Sequence, residues 1–235
     1  MALAHLWDSL FARSGHLCPE QTRILTNEYG LEIKYKVYSL PVYLSVSHSR
    51  GQSENTVEFN SPEYQGKQKE TYGGSLYYYG GKAFNLTASS SYSPSQDLID
   101  PNKETHSYWH EISSTIRPVS NLFITPTVGF GEYRYLWYGE QTENPFASLS
   151  ITRSQLLNMI DLSLWGEFSQ SRSTDGNQDT ETLNTSVEIS WNAKYLFLPK
   201  TRFSLDLGYD QYNDKIYQSS SYNSLSTSFQ LKFQL

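Results

Sequence analysis

The chain has 235 residues, of which 37% are hydrophobic, 18% charged and 15% aromatic, and its net charge is −6 at pH 7. Because 18 Lys and Arg stand against 24 Asp and Glu, no basic surface is expected and no nucleic-acid partner is predicted. No apolar run reaches the ~18 residues that a transmembrane helix needs, and the single cysteine, Cys18, excludes disulfide frameworks and Cys-based zinc sites.

Residues 1–27 fit no clear element. A secretory signal needs a basic start, an apolar stretch and a small-residue cleavage site, but Met1–Ala12 contains His5 and Asp8 and no Lys or Arg before Arg13. We therefore leave 1–27 as an unassigned N-terminal segment.

From Tyr29 onward, apolar and polar residues alternate with a period of two, which predicts strands with two unlike faces. Near the start, Leu31 and Ile33 alternate with Glu32 and Lys34. The alternation predicts about eleven strands, near residues 29–38, 41–49, 70–79, 82–93, 105–117, 121–137, 145–153, 157–170, 182–196, 201–212 and 222–235. Between Gly129 and Glu132 the apolar phase slips by one residue, which we interpret as a β-bulge.

The connections between these strands alternate in length. Short turns, such as Gly80-Gly81, alternate with longer polar links, such as Arg50–Glu70 and Ser171–Thr180. This layout is typical of barrels that cross a membrane with strands, which have short turns on one side and longer loops on the other. A sheet survives in lipid only when it is closed on itself, because every backbone polar group must be paired.

With these patterns, the chain resembles Gram-negative outer-membrane β-barrel proteins from Tyr29 to Leu235. The resemblance implies an all-β, antiparallel, up-and-down transmembrane β-barrel over residues 28–235, located in the outer membrane of a Gram-negative bacterium and in contact with outer-membrane lipid. It also implies that the barrel-assembly machinery reads the C-terminal strand, although that strand ends in Leu235 rather than an aromatic residue. Because barrels of this kind have even strand numbers, we expect about twelve strands and a chain that is N-terminally truncated or has a misassigned start. An irregular or helical plug over Ala2–Leu10 is the alternative.

The candidate functional residues are the charged side chains that the alternation places in the lumen. They are Glu32, Lys34, Lys36, Glu111, Arg117, Asp161, Glu167, Glu188, Lys194, Arg202, Asp206, Asp210 and Lys232. Rings of one sign would select solutes of the other sign, whereas this set is mixed. Two interpretations stay open: a cross-linked, solvated interior that braces a narrow barrel, or a pore for polar solutes or a polysaccharide.

For function, the pattern predicts a non-enzymatic channel, export component or structural surface protein, with no catalytic, cofactor-binding or metal-binding residues. Outer-membrane phospholipases and proteases carry Ser/His or Asp/His groups on the barrel wall or rim, so a hydrolase with a rim active site is one alternative. Its nearest candidate is His110, although this residue shares the lipid-side parity of Ile112 and Ile116. A soluble extracellular β-sheet binding module is the other alternative.

Overall fold

The computed structural model of the chain describes residues 2–14, 21–37, 40–58, 63–98, 100–156, 159–192 and 201–233. Within these ranges, twelve strands follow one another in the order β1 Ala2–Ser14, β2 Gln21–Lys36, β3 Val42–Glu58, β4 Glu63–Tyr79, β5 Phe84–Asp97, β6 Glu104–Val119, β7 Leu122–Tyr135, β8 Glu140–Leu156, β9 Ile160–Ser173, β10 Asp179–Asn192, β11 Thr201–Asp214 and β12 Tyr222–Phe233. A short 3-10 helix, Gln218–Ser220, precedes β12. Within the described ranges, no helix has the length and apolar character needed to cross a membrane.

The strands form one twelve-stranded sheet in which sequence order is also spatial order. The ladders whose register is defined are all antiparallel. This confirms the predicted all-β, antiparallel, up-and-down fold of about twelve strands. The first strand, Ala2–Ser14, lies within the segment that the sequence left unassigned, and it pairs with β2 from Ala2↔Tyr35 to Ser14↔Arg23.

By its internal contacts the chain divides into two compact units. The first unit contains Met1–Tyr78, Ala88–His110 and Gly131–Thr142, and the second contains Tyr79–Thr87, Glu111–Phe130 and Glu143–Leu235.

The pairing register places apolar residues opposite apolar residues. In the first unit, Ile33 of β2 lies opposite Val46 of β3, while Lys34 lies opposite Ser45. In the second unit the same holds across three strands, because Leu205 lies opposite both Ile189 of β10 and Phe229 of β12. Since successive side chains of a strand point to opposite faces, the sheet has an apolar face and a polar face.

The apolar face has no covering layer among the described residues. Val46, Ile112 and Leu225 expose 66%, 52% and 79% of their surface, and no large side chain in the described part of the chain is fully buried. A soluble sheet protein buries its apolar face against a second layer. The apolar face of the described strands is therefore exposed rather than packed in a core.

The strands extend further into the polar links than the alternation predicted. The link expected over Arg50–Glu70 is largely strand, since β3 ends at Glu58 and β4 begins at Glu63. Polar residues pair through their backbones as well as apolar ones do, so the ladder continues after the apolar alternation ends. At the opposite ends the connections are tight, and Gly81, with φ of 84°, takes the left-handed conformation expected of its turn.

The predicted β-bulge near Gly129 was wrong. The backbone N–H of Leu136 bonds to Glu104 O at 3.1 Å, and the Thr115 and Thr125 hydroxyls lie 3.5 Å apart. In an antiparallel ladder, the numbers of two opposed residues add to a constant unless a residue is inserted. Both of these pairs add to the same number, so β6 and β7 keep one register with no bulge between them. The apparent slip arises because Glu132 stays on the apolar face, where it forms an ion pair with Arg134.

Candidate solute site on the polar face

Small hydroxyl side chains occupy much of the polar face. In the first unit, the hydroxyl oxygens of Ser45 and Ser75 lie 2.7 Å apart, and those of Thr71 and Ser93 lie 3.0 Å apart. Similar pairs in the second unit join Thr127 to Ser113 at 3.0 Å and Thr152 to Ser163 at 3.3 Å. These pairs cross from strand to strand, so they stabilise the ladder while leaving a hydrophilic surface.

In the second unit, β10, β11 and β12 bring four of the predicted lumen residues together. The register places Glu188 of β10 opposite Asp206 of β11, and Arg202 of β11 opposite Lys232 of β12. Since residues two apart on a strand share a face, Arg202 and Asp206 lie on the same side with Ser204 between them.

These residues line a pocket of about 340 Å³, formed by Glu188, Arg202, Ser204, Asp206, Gln230 and Lys232. We call these six residues the β10–β12 pocket. Its volume lies at the lower end of the range for small-molecule sites. The alternation predicted its four charged members. It did not select Ser204 and Gln230, although both stand at even-numbered positions, which lie on the polar face of these strands.

Three contacts fix the geometry of the β10–β12 pocket. Arg202 Nη2 donates a hydrogen bond to Ser190 Oγ at 2.7 Å and lies 3.7 Å from Glu188 Oε1. The Ser228 hydroxyl donates to Asp206 Oδ2 at 3.0 Å. Within the described part of the chain, no acidic group forms an ion pair with Lys232, so its ammonium is available to a ligand.

Apart from the Glu188–Arg202 ion pair, the directly opposed charges of the pocket have the same sign. Glu188 and Asp206 are two carboxylates directly opposite each other, and Arg202 and Lys232 are two cations directly opposite each other. Like charges at directly opposed positions destabilise a strand pair. A solute carrying charges of both signs would relieve both repulsions at once.

The other predicted lumen residues are distributed along the polar face. In the first unit, Lys34 pairs with Glu32 at 3.1 Å, and the Lys36 ammonium lies 5.7 Å from the centre of the Tyr43 ring. In the second unit, the Arg117 guanidinium lies 4.8 Å from the Phe123 ring centre.

The remaining members of the predicted set do not join the β10–β12 pocket. The Asp161 carboxylate accepts the Gln155 backbone N–H at 2.9 Å, and the Asp210 carboxylate accepts the Ser224 hydroxyl at 3.3 Å. Glu167 lies opposite Asn184, and Glu111 lies on β6. Lys194 is outside the described residues.

Among the described residues, no group of three or more His, Cys, Asp or Glu side chains could hold a metal ion. The acidic side chains of the β10–β12 pocket are interleaved with cations instead.

No family model and no curated protein matches this sequence. Solved structures do match in fold. They include OmpT, an outer membrane protein of Vibrio cholerae, at 8% identity and a TM-score of 0.49, over 98% of this chain and 96% of that chain. The β domain of the Bordetella autotransporter BrkA matches at 10% identity and a TM-score of 0.44, over 98% and 96%. An outer-membrane channel from Pseudomonas putida F1 matches at 13% identity and a TM-score of 0.42, over 98% and 91%.

OmpT and the Pseudomonas putida channel are described as outer-membrane proteins, the class that the sequence pattern resembles. At these identities and TM-scores the likeness concerns the fold alone, so no function is transferred from it.

The prediction that the chain is not an enzyme was wrong, because it was drawn from the barrel pattern alone. The matching structures, OmpT among them, share this fold and differ in description from an autotransporter domain to a channel. A fold that hosts different functions excludes no activity.

Proposed function

We propose that the polar face lines a water-filled path through the outer membrane and that the β10–β12 pocket is a binding position for a small polar solute in that path. The observation that carries this proposal is the convergence of Glu188, Arg202, Asp206 and Lys232 on one pocket of about 340 Å³. The class of solute follows from the charges: a zwitterion, or a polyhydroxylated molecule that bonds to both carboxylates and cations.

The hydroxyl pairs support the same function. A surface of Ser and Thr side chains offers donors and acceptors that exchange readily with water and with solute hydroxyls. Because both signs of charge are present, we expect weak selectivity between cations and anions rather than the strong selectivity of a single-sign ring.

The apolar face contacts outer-membrane lipid in this proposal, and the C-terminal strand, β12, is recognised by the barrel-assembly machinery. The exposed apolar residues Leu225 and Phe229 of β12 supply the alternation that such recognition would read.

Ion current across planar bilayers tests the proposal. The folded protein, identified by its heat-dependent gel shift, should give discrete current steps in potassium chloride with weak ion selectivity. Lys232→Gln should shift the reversal potential toward cation preference, because it removes a cation that has no ion-pair partner in the pocket. Lys103→Gln, which removes the cation that pairs with Asp100 in the β5–β6 connection, is the matched control and should leave the reversal potential unchanged. The absence of current from folded protein, or equal effects of both substitutions, would refute the proposal.

A further inference from the structure

On the apolar face of the first unit, a serine and a histidine from adjacent strands are hydrogen-bonded to each other. Ser90 Oγ of β5 lies 2.9 Å from His110 Nδ1 of β6, and both residues are exposed. The distance is within the range of an activated nucleophile and its base. Sequence reasoning considered His110 alone, because the register that brings Ser90 beside it is not visible in the alternation.

The pair lies on the apolar face. Ser90 lies on the same face of β5 as Phe84, and His110 lies on the same face of β6 as Ile112. Phe84 and Ile112 are both apolar and exposed. Polar groups facing lipid are costly and are therefore often functional. Ser90 and His110 bond to each other here, which lowers this cost and keeps the serine hydroxyl near a base.

A row of aromatic rings borders the pair on the side of the β5–β6 connection. The rings of Tyr72 and Tyr92 stack with their centres 6.2 Å apart, and those of Tyr92 and Tyr108 are 4.9 Å apart. Tyrosine is typical of the membrane interface, which is the depth at which the ester groups of lipids lie.

Gly74 leaves space beside the serine. Tyr72 of β4 lies beside Tyr92 of β5, which places Gly74, two residues along β4, beside Ser90. A Cβ atom at Gly74 would meet nothing closer than Ser45 O at 3.8 Å. An ester could therefore approach Ser90 from the lipid side without displacing a side chain at this position.

We propose that Ser90 and His110 form a nucleophile–base pair that hydrolyses acyl esters of membrane lipids presented laterally from the bilayer. Ser90 Oγ bonds to the ester carbonyl carbon while His110 takes the hydroxyl proton. The bond from that carbon to the lipid's alcohol oxygen breaks, and this oxygen receives the proton. Water then attacks the acyl-serine, which releases the fatty acid and restores the Ser90 hydroxyl. The pair lies in the first unit and on the apolar face, so this activity does not depend on the β10–β12 pocket.

A serine-reactive probe tests the proposal on the wild-type protein. Folded protein in vesicles of phosphatidylethanolamine and phosphatidylglycerol is treated with a long-chain alkyl fluorophosphonate, and the labelled residue is located by mass spectrometry. Labelling at Ser90 is expected. No labelling, or labelling of other serines to the same extent, would overturn the proposal.

Fatty-acid release from the same vesicles gives the second readout. Ser90→Ala should reduce release to the background rate, and His110→Gln should reduce it by about 10²-fold or more, the usual effect of losing a general base. Gly74→Val should also reduce labelling and release, because its methyl groups fill the space beside Ser90. Ser89→Ala, next along β5 on the polar face, is the matched control and should act as wild type. Each variant is compared in its heat-shifted, folded form, and wild-type release by Ser90→Ala would show that the pair is only a structural hydrogen bond.

Discussion

Charged side chains are arranged in opposite ways on two surfaces of the sheet. On the apolar face of the first unit, charges are paired: Arg50 Nε lies 3.6 Å from Glu70 Oε1, His106 Nε2 lies 2.7 Å from Glu104 Oε1, and Arg134 pairs with Glu132. In the β10–β12 pocket of the second unit, like charges lie opposite each other. Glu188 and Arg202 form an ion pair there, whereas Lys232 has no ion-pair partner among the described residues.

In the proposed arrangement, the two faces meet different solvents. A lone charge facing lipid is expensive, and the three cations named above lie within reach of carboxylates. A charge in water is screened and loses little when it stays unpaired. The paired charges therefore serve the structure, whereas the unpaired ones are available to a solute.

The largest loss of stability is expected when a cation is placed on the apolar face. Val187 and Ser186 are neighbours on β10, so they lie at the same depth and point to opposite faces. Val187→Arg should lower the free energy of unfolding by about 2–4 kcal/mol, the cost of a cation near the bilayer midplane of a barrel. Ser186→Arg should change it by less than half as much. Urea unfolding in lipid vesicles measures both, and equal losses would contradict the assignment of the faces.

Removing one carboxylate from each charge arrangement should change the free energy of unfolding in opposite directions, by less than Val187→Arg does. Asp206→Asn removes the carboxylate opposite Glu188 and keeps an acceptor for the Ser228 hydroxyl, so it should raise the free energy of unfolding by about 0.2–1 kcal/mol. Glu70→Gln removes the partner of Arg50 and should lower the free energy of unfolding. If both substitutions destabilise the protein in the same unfolding assay, the like-charge repulsion in the pocket is not significant.

The smallest effect concerns Lys215, in the connection between β11 and β12. Its ammonium bonds to Glu181 and lies 3.7 Å from Asp179 Oδ1, and these contacts raise the pKa of Lys215. A raised pKa means that the stabilisation is complete below the unfolded value of about 10.4 and is lost as pH rises through the folded pKa. Proteolytic cleavage within the 215–221 connection should therefore increase at pH values above the folded pKa.

The control for this experiment is Lys215→Gln. Cleavage of this variant should depend less on pH than cleavage of the wild type, after correction for the protease's own pH dependence. A wild-type pH profile in Lys215→Gln would show that the ion pairs do not hold the connection.

Much of the fold could be predicted from the sequence because a period of two is a local signal. Ile33, Leu205 and Phe229 all follow it, and the strands β2 to β12 were found from it. The strand β1 was missed because its sequence, ALAHLWDSLFARS, has apolar residues at both parities. The extensions of β3 and β4 were missed because backbone pairing between polar residues leaves no hydrophobic pattern.

The sites could be predicted only in part because they depend on register. Parity placed Glu188 and Lys232 on the polar face, but their meeting in one pocket required the β10–β11 and β11–β12 registers. The pairing of Ser90 with His110 likewise requires the β5–β6 register, which residue types do not specify.

The polar face is expected to contact water, whereas the apolar face is expected to contact lipid. Cysteines at Ser204 and Leu205, adjacent on β11 and on opposite faces, test it most directly when each is introduced into a Cys18→Ser background. In lipid vesicles, a charged, membrane-impermeant methanethiosulfonate should modify Ser204→Cys rapidly and Leu205→Cys at least about tenfold more slowly, because the reagent enters water and not lipid. Equal rates at the two positions, or faster modification of Leu205→Cys, would contradict the account.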